Sequence, residues 1–157
     1  MARVLTARPS GFWSMDLIVE EDGREVLSVD VGFWRNRIAF RINDRTYECV
    51  RTGFPRSVYS MISVDGVLAR ARQSLSLVER VRIEIGDRAY SLRRVSLFRM
   101  SLAIVEGEER VGRIERAGFL TRRSRIVAPD DWGLEVCVFA LWIARDVWRR
   151  ATRRPLD

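Results

Sequence analysis

From Arg3 to Ala128 apolar residues recur at every second position and short polar turns interrupt them, the pattern of strands with one buried face. Ile38, Phe40 and Ile42 alternate with Arg37, Ala39 and Arg41; Val81, Ile83 and Ile85 alternate with Arg80, Arg82 and Glu84. About twelve strands are predicted: Arg3–Arg8, Phe12–Glu20, Arg24–Val31, Arg37–Asn43, Arg45–Arg51, Ser57–Val64, Val67–Gln73, Glu79–Ile85, Arg88–Val95, Phe98–Val105, Arg110–Arg116 and Arg122–Ala128. Asp22-Gly23, Asn43-Asp44, Asp65-Gly66 and Gly86-Asp87 are hairpin-turn dipeptides, and Glu106-Gly107-Glu108-Glu109 joins a further pair.

Past Pro129 the period changes. Asp131–Arg150 reads as one helix on which Trp132, Leu134, Val136, Cys137, Val138, Phe139, Ala140, Leu141, Trp142, Ile143 and Ala144 leave almost no polar side. A helix that is apolar all round must be enclosed by protein or lipid. A membrane span needs about 20 apolar residues, and this one is cut short by Glu135 at one end and by Arg145, Asp146, Arg149 and Arg150 at the other. Enclosure by protein is expected. Asp130 or Asp131 is the expected cap, with Glu135 at the positive pole of the helix and the arginines at the negative pole.

The strand region is internally repeated. Arg37–Gln73 lies on Arg80–Arg116 without a gap at an offset of 43 residues, matching Ile42 to Ile85, Asp44 to Asp87, Arg45 to Arg88, Tyr47 to Tyr90, Arg51 to Arg94 and Arg70 to Arg113. Two copies are visible, which points to a duplicated four-strand sheet. The repeat also assigns the faces, because a one-residue slip would turn every apolar side chain outward. Ile38, Phe40, Ile42, Tyr47, Cys49, Tyr59, Met61, Ala69 and Ala71 should face in, as should Val81, Ile83, Ile85, Tyr90, Leu92, Leu102, Ile104, Gly112 and Ile114. Arg37, Arg41, Arg70, Arg72, Arg80, Arg82, Arg99, Arg113, Arg123 and Arg125 should face out. Consecutive strands with one apolar face each, followed by one wholly apolar helix, are both satisfied by a closed antiparallel barrel wrapped around the helix. The expected domain is 1–150 with its central helix at 131–150, and residues 151–157 form a basic tail expected to fray.

A chain with 47% hydrophobic residues can build such a core in one domain. Cys49 and Cys137 sit in apolar contexts and are expected as packed thiols. Met1–Pro9 has no continuous apolar run of the signal-peptide kind, so a cytoplasmic location, peripheral to a membrane at most, is the expectation. The formal charge is +7, and all 28 basic residues are arginine. Arginine is the better bidentate partner for phosphate, so an acidic partner is permitted.

A run of about twelve strands closing on a hydrophobic C-terminal helix, introduced by Pro129-Asp130-Asp131 and carrying Phe139-Ala140-Leu141-Trp142-Ile143, resembles the tubby C-terminal-like superfamily, which includes the LURP-one-related proteins and the phospholipid scramblases. The resemblance covers most of the chain and lies in its layout. It implies a closed barrel with the helix through its centre and a binding role towards phosphoinositide head groups through basic residues. No phosphoinositide-binding motif can be matched residue by residue, and no acidic loop supports scramblase-like calcium binding.

Little catalytic chemistry is legible. The chain has no histidine, which removes Ser-His-Asp and Cys-His systems and histidine metal ligands. Two distant cysteines cannot form a structural Cys₄ zinc site, and the phosphate-cradling and dinucleotide glycine motifs are missing. No catalytic residue, cofactor or metal is expected. Asp16, Glu20, Glu21 and Asp22 could be read as a cation site, but Glu20-Glu21-Asp22-Gly23 fits a hairpin turn better. The candidate ligands are basic: Arg122, Arg123 and Arg125, with Arg93, Arg94 and Arg99, of which Arg123 and Arg125 share a strand face and could grip one phosphate. Trp13 and Trp34 near turns are candidate partner contacts, with the core rim as their other home. The expectation is a non-enzymatic barrel that meets an anionic membrane surface peripherally. A nucleic-acid-binding module and a protein-interaction scaffold are the alternatives, and the oligomeric state is open.

Overall fold

The computed structural model describes residues 3–11, 16–31, 36–53, 56–74, 79–95, 100–117 and 123–152. Twelve strands run in chain order: β1 (Arg3–Pro9), β2 (Leu17–Glu21), β3 (Arg24–Val31), β4 (Arg37–Ile42), β5 (Arg45–Thr52), β6 (Val58–Ser63), β7 (Gly66–Gln73), β8 (Glu79–Ile85), β9 (Arg88–Arg94), β10 (Ser101–Glu106), β11 (Glu109–Ala117) and β12 (Arg123–Ala128). Each pairs antiparallel with its chain neighbours, and β1 pairs with β12 to close the barrel. Closure leaves no free sheet edge. The helix α1 (Leu134–Thr152) follows.

The second and tenth strands are shorter at their starts than the alternation predicts. Strand β2 begins at Leu17, with Asp16 outside it and Phe12–Met15 outside the described residues; β10 begins at Ser101, with Phe98 likewise outside them. At Asp22-Gly23 both residues have positive φ (53° and 75°), as a two-residue hairpin turn matching the strand twist requires.

The inward row is as the repeat assigns it. Tyr59, Met61, Val81, Ile83, Leu92, Ile104 and Ile114 have no exposed surface, and Ile42 and Ile85, next to the turns, are partly buried against the core. Gly112 shares that row, but its small size serves the wall: a Cβ there would lie 2.3 Å from the Val127 carbonyl oxygen of β12. The duplication is also geometric. Ile38 faces Cys49 as Val81 faces Leu92, and bulges fall at Met61/Ile62 and Ile104/Val105. A bulge at Val19/Glu20 marks a third such hairpin, β2–β3, four strands before β6–β7, while the one at Glu79/Val81 in β8–β9 falls outside this spacing.

The helix runs through the barrel. Every residue from Val136 to Ala144 is buried, so no face of that segment meets solvent. Its contacts reach opposite walls: Trp142 packs edge-on against Tyr59 of β6, with ring centroids 5.6 Å apart, while Arg145 bonds Ser124 of β12. Strands β6 and β12 lie half the circumference apart. Twelve strands at about 4.8 Å spacing and about 40° tilt give a wall radius on the order of 12 Å, which leaves one layer of inward side chains around a helix about 10–12 Å across.

The helix begins later than the sequence pattern suggests. Trp132 and Gly133 are not helical, and the first intrahelical bond is from Cys137 N to Gly133 O (3.2 Å), which puts Gly133 at the cap position. Asp131 does not cap, because its carboxylate is taken by Arg88 and by Tyr90 Oη (3.0 Å) of β9. Trp132 packs edge-on against the same Tyr90, fixing the chain as it turns inward. Both cysteines are free and buried; burial pushes the Cys137 thiol up to about 12 and the Cys49 thiol higher still, so neither is a nucleophile near neutral pH.

Candidate anion-binding end of the barrel

The two ends of the barrel differ in connection and in charge. At one end the strands are joined by tight turns carrying Asp22, Asp44, Asp65, Asp87 and Glu108, and the turn into the helix adds Asp130 and Asp131. Among the arginines at this end, Arg88 bonds Glu106 and Asp131, Arg3 pairs with Glu21, and Arg41 with Asp44. At the other end the helix terminates and the longer connections run. There the described arginines include Arg51, Arg56, Arg72, Arg93, Arg94, Arg116, Arg123, Arg149 and Arg150, and the acidic residues are Asp16, Asp30, Asp146 and Glu79, which begins β8 opposite Arg93.

Strand parity brings part of this set inside. Arg51 follows Tyr47 and Cys49 on the inward row of β5, Arg94 follows Tyr90 and Leu92 on β9, and Arg116 is paired with the buried Ser124. Arg51 and Arg94 are repeat equivalents, as are Gln73 and Arg116, so the duplication itself delivers polar residues to the inner rim. The helix brings Asp146, 2% exposed, to the middle of them. Arg51 donates to both its oxygens (2.8 and 3.0 Å), Tyr59 Oη donates to Oδ2 (2.8 Å), Arg149 bonds Oδ1, and Arg150 lies 3.5 Å from Oδ2. Burial, and then the neighbouring carboxylate, hold the Tyr59 phenol well above its ordinary value, so it stays a donor. Three guanidinium groups surround one carboxylate, and the buried acid is saturated while the rim stays cationic.

Beside this cluster an open groove of about 270 Å³ is lined by Arg56, Ser57, Arg72, Gln73, Ser74 and Arg82. Among the described residues no carboxylate lines it. No protein-family model, curated protein or solved structure matches the chain.

The arginines singled out from the sequence do not form one site. Arg123 and Arg125 are exposed on the outer face of β12, and Arg125 lies 3.7 Å from Glu115. Arg93 is on the outer face of β9, three strands away, or about 14 Å across the sheet. Arg94 belongs to the inner rim. Arg99 and Arg122 lie outside the described residues, as do Trp13 and Trp34. What unites Arg93, Arg94 and Arg123 is the end of the barrel they occupy. The sequence reading of Glu20 and Glu21 as hairpin residues agrees with their pairing to Arg8 and Arg3, and among the described residues no acidic or sulfur cluster could hold a metal. Asp146, Arg51, Gln73 and Ser57 were not legible as a group, although the parity of Arg51 with Tyr47 and Cys49 is a signal for an inward arginine.

Proposed function

We propose that the chain is a non-enzymatic barrel that docks by its cationic end on an anionic, phosphate-bearing membrane surface. The observation that carries this reading is the charge polarity of the barrel: acidic residues occupy the tight turns, and arginines occupy the rim and groove around the helix C-terminus. Such a dipole orients the molecule towards an anionic plane and repels the opposite end. Arginine supplies planar bidentate donors for phosphate, and each cation near an anionic leaflet contributes about 1 kcal/mol. No helix among the described residues is long and apolar enough to cross a membrane. The layout shared with the tubby-like superfamily supports the same reading.

Vesicles of phosphatidylglycerol should bind the protein, and binding should fall steeply between about 0.1 M and 1 M salt, where the screening length drops from about 10 to about 3 Å. Arg93→Ser with Arg123→Ser, both near the cationic end, should weaken binding about tenfold or more. Flotation at graded salt reads both. Binding that ignores salt and these substitutions would remove the proposal, and tighter binding to oligonucleotides than to vesicles would favour a nucleic-acid partner instead.

A further inference from the structure

The groove beside the helix end has the chemistry of a specific site rather than of a diffuse basic patch. Arg72 of β7 and Arg82 of β8 are direct cross-strand partners, both exposed on the outer face. Like charges directly opposite destabilise a sheet, so this pairing costs the wall something that a bridging anion would return. Arg82 pairs with Glu84 at 3.8 Å; Arg56 and Arg72 have no acidic partner among the described residues. Arg56 comes from the β5–β6 connection, which turns at Gly53, where φ is +88° and the Arg56 carbonyl oxygen approaches to 2.5 Å of the place a Cβ would take.

The floor of the groove is prepared. Ser57 is 0% exposed and its hydroxyl has no partner among the described residues, an arrangement that buried polar groups rarely tolerate without a ligand or water. Its backbone is held on both sides by one residue: Gln73 N donates to Ser57 O (2.9 Å) and Ser57 N donates to Gln73 Oε1 (3.4 Å). Gln73 Oε1 also accepts from Arg150 Nη1 (3.2 Å), so the acceptor of this amide is used and its NH₂ remains a donor. The groups open to the groove are thus three guanidinium groups, with Ser57 and the Gln73 amide beneath them and no acid among the described residues that line it.

We propose that this groove binds the dianion of a phosphate monoester, with Arg72 and Arg82 bridged by its oxygens and Arg56 closing over it. A charge of about −1.5 to −2 with three strong acceptor oxygens suits this donor set better than a diester monoanion. The site deepens the docking reading, since it lies at the same end, but it can be tested apart from it.

The test is calorimetric titration of the full chain, at constant ionic strength, with glycerol phosphate, inorganic phosphate and dimethyl phosphate. Glycerol phosphate and inorganic phosphate should bind saturably at one site, and dimethyl phosphate at least about tenfold more weakly. Arg72→Gln and Arg82→Gln, both exposed changes, should each weaken glycerol phosphate about tenfold or more, with melting curves confirming that both variants fold. Arg93→Ser with Arg123→Ser should leave this titration unchanged even where vesicle binding is lost, which separates failure of the docking reading from failure of the site. Phosphatidate vesicles that displace glycerol phosphate identify a lipid source for the monoester, and vesicles that do not displace it identify a soluble one. Absence of saturable binding, equal binding of dimethyl phosphate, or indifference to Arg72→Gln would overturn the proposal.

Discussion

Replacing Ala140 with aspartate should abolish folding. Ala140 is fully buried, midway along the helix, with buried residues on either side from Val136 to Ala144. A carboxylate there must find a partner or lose its hydration, and the charged residues of the helix cluster, Asp146, Arg149 and Arg150, lie more than a turn further on. An unpaired buried ion costs several kcal/mol, and the larger side chain must also displace close-packed neighbours. Against a total stability of about 5–15 kcal/mol that is enough to unfold the domain. Val64→Asp is the control: Val64 is 85% exposed in the β6–β7 turn, and an aspartate introduced there should shift stability by no more than about 0.5 kcal/mol. Circular dichroism melts of the two variants should give no cooperative transition for the first and a near-parental one for the second. Equal melting of both would mean that the middle of the helix is not enclosed.

Asp146→Ala should be the most damaging loss of a polar group. It leaves Arg51, Arg149 and Arg150 facing one another without their shared carboxylate and frees Tyr59 Oη of its acceptor. Breaking a buried pair from one side costs about 3–5 kcal/mol, which for a domain of this size lowers the melting temperature by about 6–20 °C. Tyr59→Phe removes one bond and keeps the ring contact with Trp142, so about 1 kcal/mol is expected. Adding Arg51→Met to Asp146→Leu should recover part of the loss, because charge is then removed from both sides. If Asp146→Ala costs no more than Tyr59→Phe, the carboxylate is not the hub of the cluster.

The barrel could be read from the chain because its signal is repetitive. Period two, turn dipeptides and a 43-residue self-match agree on register, and register alone places Ile38, Cys49, Val81 and Leu92 inside. The enclosed helix was legible for the opposite reason: nine consecutive buried positions, from Val136 to Ala144, leave no period that a surface could use. The third hairpin unit was not legible, since the bulge at Val19/Glu20 is a backbone feature without a matching run of residues. The helix starts later than the sequence suggests because Asp130 and Asp131 both look like caps, and only the fold puts Gly133 at the cap and gives the Asp131 side chain to Arg88 and Tyr90.

The candidate site was harder still. Clusters adjacent in sequence, such as Arg93-Arg94, are split by strand alternation into an outer and an inner residue. The groove instead gathers Arg56 and Ser57 from one connection, Arg72 and Gln73 from the end of β7, and Arg82 from β8. Their proximity is a product of closure and register, and no single stretch of sequence carries it. The orphaned hydroxyl of Ser57 is likewise a property of packing, because a serine before a strand is unremarkable until its surroundings are known.

The position of the helix decides the rest, since it fills the barrel, fixes the wall and carries Asp146, Arg149 and Arg150 to the cationic rim. Nuclear Overhauser contacts in the isotopically labelled protein test it most directly. The Trp142 ring should contact the Tyr59 ring on β6, and the Arg145 side chain should contact Ser124 on β12, half the circumference away. Contacts to both walls in the same molecule are the predicted result; contacts confined to neighbouring strands on one side would place the helix outside the barrel and contradict the account.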